Sequence, residues 1–218
     1  MKRINWKKYG LVTFSLPLVI LIIMIASMAE YVAPFDPYFL DVMVMLEGPS
    51  EKHWMGTDEL GRDVFSRIIF GAQVSLQVGV CAVLVGLTGG VFVGVLAAYY
   101  GGYVDQILMR FMDIVFCFPA ILLAVILMAN FGTSIFNAML AIGIIFIPGF
   151  ARLTRAITQT VQRQAFLEAA VCLGLPGHKI IFREILPNVL GPLLVEATVA
   201  FSYAVLLESA LSFLGLGS

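Results

Sequence analysis

Apolar residues gather in five long blocks, at roughly 10–31, 73–99, 105–129, 135–150 and 188–209, divided by polar stretches of unequal length. Each block is at or near the length that crosses a bilayer core about 30 Å thick. Backbone groups in lipid must be bonded internally, so each block predicts an α-helix. The fourth block is short, and Pro148-Gly149 is expected to end it. Pro17 and Pro119 fall within or at the edges of other blocks, where the missing donor kinks a helix. The predicted architecture is an all-α polytopic membrane bundle. Residues 1–72 hold a tail, a first span and a polar segment, and residues 73–218 hold the remaining spans.

Composition agrees with that pattern. The 218 residues are 61% hydrophobic and 12% charged, and the mean hydropathy is +0.99. A soluble domain carries about twice that charge fraction. The net charge of -1 says less than its distribution. Lys2, Arg3, Lys7 and Lys8, then Arg110, then Arg152, Arg155, Arg163, Lys179 and Arg183 fall on one side of the predicted membrane, ten of the thirteen basic residues. Segment 32–72 has only Lys52, Arg62 and Arg67 against seven acids. The positive-inside rule then places the N-terminus and loop 151–187 in the cytoplasm and segment 32–72 outside. The first apolar run is longer than a signal-peptide core, so an uncleaved membrane helix is expected there.

Cys81, Cys117 and Cys172 are far apart and lack metal-ligand spacing, and they read as inert packing residues or small helix formers. His53 and His178 are isolated and read as a loop residue and a surface residue. In the second block Ala82, Gly86, Gly90, Gly94 and Ala98 recur every four residues and line one face. Small residues let helices approach closely in lipid, either within the chain or against another subunit.

Segment 33–57 is broken by Pro34, Pro37, Pro49 and Gly56 and is expected to be irregular. After it comes Gly56-Thr57-Asp58-Glu59-Leu60-Gly61-Arg62-Asp63-Val64-Phe65-Ser66-Arg67. Val64, Phe65, Ile68, Ile69 and Ala72 share a helical face, which predicts a short amphipathic helix on the outer surface. Thr57 or Asp58 is expected to cap it, with Asp63 and Arg67 as an i,i+4 pair.

The loop at 151–187 carries Glu168-Ala169-Ala170, then Gly174, and Ile185-Leu186-Pro187 at its end. Phe166 to Leu173 suits a short helix that Gly174 terminates. Pro176 suits the start of a second one running to about Ile185, which Leu186-Pro187 should break. Ala169 and Ala170 leave room for a partner surface, and Glu168 offers it a carboxylate.

These stretches resemble the permeases of bacterial ATP-binding-cassette importers. Glu168-Ala169-Ala170 with Gly174 and Pro187 is similar to their ATPase-coupling loop. The pattern of Gly56, Thr57, Asp58, Gly61, Arg62, Asp63, Ser66 and Arg67 resembles the dipeptide/oligopeptide/nickel branch, specifically its second permease subunit. Gly101 to Asp113, and Leu207 to Gly217, are similar to further stretches of the same family. The resemblance implies a type I permease fold. It implies a partner permease, two ATPase subunits that use ATP and Mg²⁺, an external substrate-binding protein and a bacterial inner-membrane location. Family members have a sixth span, so the resemblance makes this chain one with five spans present and the sixth missing.

Ionisable groups inside a membrane are costly and are candidates for function. Asp113 lies three residues from Arg110 and is expected to pair with it. Glu196 lies nine residues beyond Pro187, some 13 Å deep at about 1.5 Å per residue, and is the candidate pore residue. Glu208 lies near the outer end of its span. The chain lacks a phosphate-binding loop, a His-Glu-x-x-His and a Gly-x-Ser-x-Gly. No catalytic, cofactor or metal site is expected on it, and nothing in the sequence suggests nucleic acid as a partner. Two other readings are an ion-coupled secondary transporter and a non-transporting remnant of a permease.

Overall fold

The computed structural model describes residues 6–216, with side chains from Ser15 onward. The Lys2-Arg3 end of the basic tail and the final Gly217-Ser218 lie outside the described residues. The described chain is all-α. Its helices are α1 (Trp6–Ser27), α2 (Ala29–Val32), α3 (Val64–Tyr100), α4 (Gly102–Phe116), α5 (Ala120–Phe131), α6 (Ile135–Gln162), α7 (Ala165–Cys172), α8 (Gly177–Lys179) and α9 (Leu186–Phe213). A 3₁₀ turn covers Val42–Val44, and a π-helical segment covers Ile180–Ile185 between α8 and α9. Two compact units divide between Gln77 and Val78.

Three stretches are long and apolar enough to cross a membrane: α3, α6 and the continuous helical run Gly177–Phe213. The bent pair α4 and α5 makes a fourth span if counted as one, and Ser15–Ser27 is a shorter apolar helix. The chain is a multi-pass membrane protein.

Four predicted boundaries move. The amphipathic surface helix expected after Gly61 is the first part of α3, which runs unbroken for 37 residues. No proline lies between Val64 and Tyr100, and the glycines there are carried within the helix, so nothing separates the two stretches. The third block is not one straight helix. The axes of α4 and α5 differ by 90° across Cys117-Phe118-Pro119. Pro119 disfavours helical geometry at Phe118 and serves as the N-cap of α5.

Pro148-Gly149 does not end α6, which continues to Gln162. Pro148 is fully buried there, so packing holds the helix through the missing hydrogen bond. Leu186-Pro187 does not break the helix before the last span either. An internal proline clashes with the carbonyl four residues back. Here the turn before it is wide, with the Leu186 N–H reaching back five residues to the Ile181 carbonyl. Asn188 Nδ2 also donates to the Glu184 carbonyl at 2.6 Å.

In the unit from Val78 onward, α6 is the element on which the others assemble, packing against α4, α5, α7 and α9. Its contact with α3 is made by the small-residue face. A methyl placed on Gly86 would lie 2.7 Å from Phe146 Cβ, and one on Gly94 would lie 2.6 Å from Thr154 Cβ. At Gly90 it would collide with Phe150. Across the seam, a methyl on Gly143 would lie 2.6 Å from Val85 Cβ. The face is therefore filled from within the chain and is not free for another subunit. The three cysteines are all exposed with free thiols.

Replacing Gly90 by Leu forces a side chain into the Phe150 contact and is expected to destabilise the fold by about 1–3 kcal/mol or more. Gly149, where a methyl meets nothing within 4 Å, serves as the control. Gly149→Ala should leave stability unchanged or raise it by about 0.5–1 kcal/mol. Unfolding in mixed micelles measures both, and equal stabilities for the two variants would contradict this packing.

Candidate functional site

Two regions carry the chemistry singled out in the sequence. The first lies wholly within the unit ending at Gln77. Asp63 caps α3: its Oδ2 accepts from the Ser66 N–H at 2.8 Å and from Ser66 Oγ at 2.7 Å. Its Oδ1 meets His53 Nδ1 at 3.0 Å, with both side chains buried. Ser66 Oγ in turn accepts from the Phe35 N–H at 3.2 Å, and the Phe35 and His53 rings lie 4.7 Å apart. Capping therefore falls to Asp63 and not to Thr57 or Asp58. His53 is a buried partner, where a lone loop residue was expected.

Asp58 organises the preceding turn. Its Oδ1 accepts from the N–H groups of Leu60 and Arg62, and its Oδ2 from Arg62 Nε at 2.8 Å and Arg67 Nη1 at 2.5 Å. Arg67 thus pairs with Asp58, and the expected Asp63–Arg67 pair does not form because the Asp63 carboxylate is already committed inward. Thr57 Oγ1 accepts from the Glu47 N–H at 2.9 Å and donates to the Val44 carbonyl. Gly61 has φ +73°, and a methyl there would strike the Asp41 carbonyl; Gly56 is confined in the same way by Glu47. Every polar or glycine position of the Gly56–Arg67 pattern thus has a structural task in one folded loop.

Burial alone would raise both carboxyl pKa values. At Asp58 the Arg62 and Leu60 N–H groups and the two guanidiniums overcome it and hold the pKa at about 2. At Asp63 the Ser66 N–H and hydroxyl and His53 overcome it and hold the group below the ordinary carboxylate range.

The second region is the polar island around α7. Val161 at the end of α6, Leu167, Ile180 and Ile185 belong to one buried cluster with Phe150, Val189 and Leu193. Leu167 and Ala170 form the inward side of α7. Ala170 therefore packs within the chain, whereas Glu168 and Ala169 are exposed. Gly174 closes α7 at φ +72°. The Leu175 N–H reaches the Ala170 carbonyl at 3.2 Å and the Gly174 N–H the Val171 carbonyl at 2.9 Å. This is a Schellman turn, which favours glycine at that position.

Asp113 does not pair with Arg110. It meets Arg152 of α6 at 2.9 Å, and Arg152 also lies 4.2 Å from the Phe116 ring centroid. A second bridge, missing from the sequence reading, joins Asp105 to Arg155 through two guanidinium nitrogens, each at 2.5 Å. The continuation of α6 past Pro148 puts both arginines beside α4. These four residues line an open groove of about 790 Å³ with Arg110. Glu196 is exposed on α9 and is not brought to either region.

The two carboxylates of the first region have depressed folded-state pKa values. Their contribution to stability is fully present above the unfolded value near 4 and is lost as pH falls through the folded values. Local protection of residues 53–66, followed by hydrogen exchange, should hold from neutral pH to about 4 and fall between about 4 and 2. Protection unchanged at about pH 2 would contradict the network. In double-mutant cycles the half-exposed Asp113–Arg152 pair should couple by about 0–1 kcal/mol. The two-pronged Asp105–Arg155 pair should couple more strongly, and the reverse order would contradict the geometry.

Residues 90–218 match the family described as binding-protein-dependent transport system inner membrane component. The dipeptide transport system permease protein DppC of Alkalihalophilus pseudofirmus is 46% identical over 79% of this chain and 57% of its own length. The glutathione transport system permease protein GsiD of Pectobacterium atrosepticum is 41% identical over 92% of this chain and 67% of its own length. GsiD of Escherichia coli O6:K15:H31 is 42% identical over 92% and 66%. The chain thus spans between 57% and 67% of the length of these curated relatives. A crystal structure of an amino acid ABC transporter with histidines aligns over 62% of this chain and 68% of its own, at 18% identity and a TM-score of 0.47. The chain belongs to the family of binding-protein-dependent transport system inner membrane components.

Proposed function

We propose that this chain is a permease subunit of an ATP-binding-cassette importer in a bacterial inner membrane. It forms a translocation path with a second, homologous permease. Two ATPase subunits drive it, and an external binding protein delivers substrate. Its N-terminus lies in the cytoplasm. The substrate is a dipeptide or oligopeptide, with nickel as the other class carried by this branch. Relatives named for dipeptide and glutathione transport support the peptide assignment.

The observation that carries the reading is the build of α7. One side is anchored by Leu167 and Ala170, and the other exposes Phe166, Glu168, Ala169 and Leu173. A partner seated on that outer side would press on a helix whose inner side shares a packed cluster with α6 and α9. Close-packed interiors transmit displacement and do not absorb it. When the ATPases bind ATP and close, α7 moves, and α6 and α9 move with it. ATP and Mg²⁺ belong to the ATPase subunits, and this chain's part is mechanical. Gly174 sets the end of α7, and the wide turn before Pro187 carries the chain onward into α9. Glu196 is proposed to face the substrate path. The loop from Gly56 to Arg67, with Thr57, Asp58, Gly61, Arg62 and Asp63, supports the outer entrance.

Reconstitution with the partner permease, ATPases and binding protein tests this. Labelled dipeptide should accumulate only with ATP. Accumulation driven by an ion gradient without the ATPases would overturn the proposal in favour of a secondary transporter. Glu168→Lys should lower ATP-driven uptake by about tenfold or more, through a lost charged contact with the ATPase. Helix content and membrane yield should not change. Glu196→Ala should lower uptake while the ATPases still co-purify.

A further inference from the structure

The open groove of about 790 Å³ between α4 and α6 has no part in the coupling of α7 or in the Gly56–Arg67 loop. It is lined by Arg110, Arg152 and Arg155 and by Asp105 and Asp113. Each aspartate is taken by one arginine, Asp113 by Arg152 and Asp105 by Arg155. Arg110 is exposed and makes no ion pair among the described residues. Three arginines against two aspartates leave the groove with one positive charge in excess. A guanidinium has about five N–H donors. Arg152 commits only Nη2 to Asp113, so two arginines have donors available in the same cavity.

The cavity also has an apolar side. Ile107, Phe111 and Ile114 line it too. They follow the spacing of one helix face, and each is more than half exposed. Its depth is set by α6. From Ile135 to Ala151 that helix carries no charged residue. This is a length of about 25 Å at about 1.5 Å per residue, close to a bilayer core of about 30 Å. Arg152 and Arg155 are the first charges beyond it, and ionisable side chains are costly inside the core. The groove therefore lies where hydrocarbon gives way to headgroups.

We infer that this groove holds the headgroup phosphate of an anionic phospholipid. Arg110 and Arg152 are its donors, and an acyl chain lies along Ile107, Phe111 and Ile114. One excess positive charge complements a headgroup with one net negative charge, such as phosphatidylglycerol. A zwitterionic headgroup brings its own ammonium and gains less. Basic pockets between membrane helices hold anionic headgroups by this chemistry, and the planar guanidinium fork suits phosphate oxygens. An acidic protein segment would answer the charge alone, whereas a lipid answers both the charge and the adjoining apolar side. The inference needs α6 to cross the bilayer and is independent of the transported substrate.

The full chain in detergent is offered equal amounts of phosphatidylglycerol and phosphatidylcholine with matched acyl chains, and the lipids it retains are counted by native mass spectrometry. Phosphatidylglycerol should be preferred. Arg110→Gln should lower that preference by about fivefold. Arg110 has no ion-pair partner to strand, so helix content should not change. Arg163→Gln removes the same charge at the end of α6, outside the groove, and should leave the preference as it was. Equal losses in the two variants would mean a diffuse positive surface and would overturn the site. No preference in the unaltered chain would overturn it too, leaving the groove to an acidic protein surface. Inorganic phosphate binding that Arg110→Gln abolishes, without any preference between the lipids, would reassign the groove to a soluble anion and overturn the lipid.

Discussion

The close approach of α3 to α6 is the constraint on which the membrane-embedded unit depends. In lipid, apolar side chains gain nothing by leaving the solvent, so helices associate through van der Waals contact. Gly86, Gly90 and Gly94 remove the side chains that would hold the backbones apart, and Phe146 and Phe150 occupy the space. Because α6 also carries α4, α5, α7 and α9, an error in its seating would propagate to each of them. The ion pairs from Arg152 and Arg155 to α4 add orientation at the end of α6. The half-exposed setting of the Arg152 pair makes it the weaker of the two.

A different principle holds the unit ending at Gln77 together. Its loop has little regular structure and relies on side chains that bind backbone. Asp58 and Asp63 each use both carboxylate oxygens, and Thr57 both donates and accepts. Glycines fit where the chain crosses itself at Asp41 and Glu47. The spacing in the Gly56–Arg67 pattern is thus the spacing of a folded loop. Function can use such a loop because the scaffold leaves its outer side chains unemployed.

Much of the fold was legible in the sequence because a membrane imposes a coarse and reliable rule. All five apolar blocks correspond to helices, and Ala165–Cys172 lies where the Glu-Ala-Ala stretch suggested a short helix. Proline was the main source of error. Its local effect is known, but whether a helix ends, bends or passes through depends on what packs around it. Pro119 turned the chain by 90°, whereas Pro148 and Pro187 did not end their helices. Pairing was the second source. Asp113 lies near Arg110 in sequence, yet it faces α6 in space, and Asp105 finds a partner 50 residues away. His53 looked solitary because its partner Asp63 is ten residues distant across an irregular loop. No helical or strand period links such positions.

The wide turn at Ile180–Ile185 has a mechanical consequence. A π segment holds one more residue than the α-helix it interrupts, so it can migrate only in whole-residue steps. Each residue it passes is rotated about the axis by about 100° and shifted by about 1.5 Å. The joint between the polar island and the last span is therefore wound more widely than the α-helix it leads into, and any shift of it would come in steps of that size.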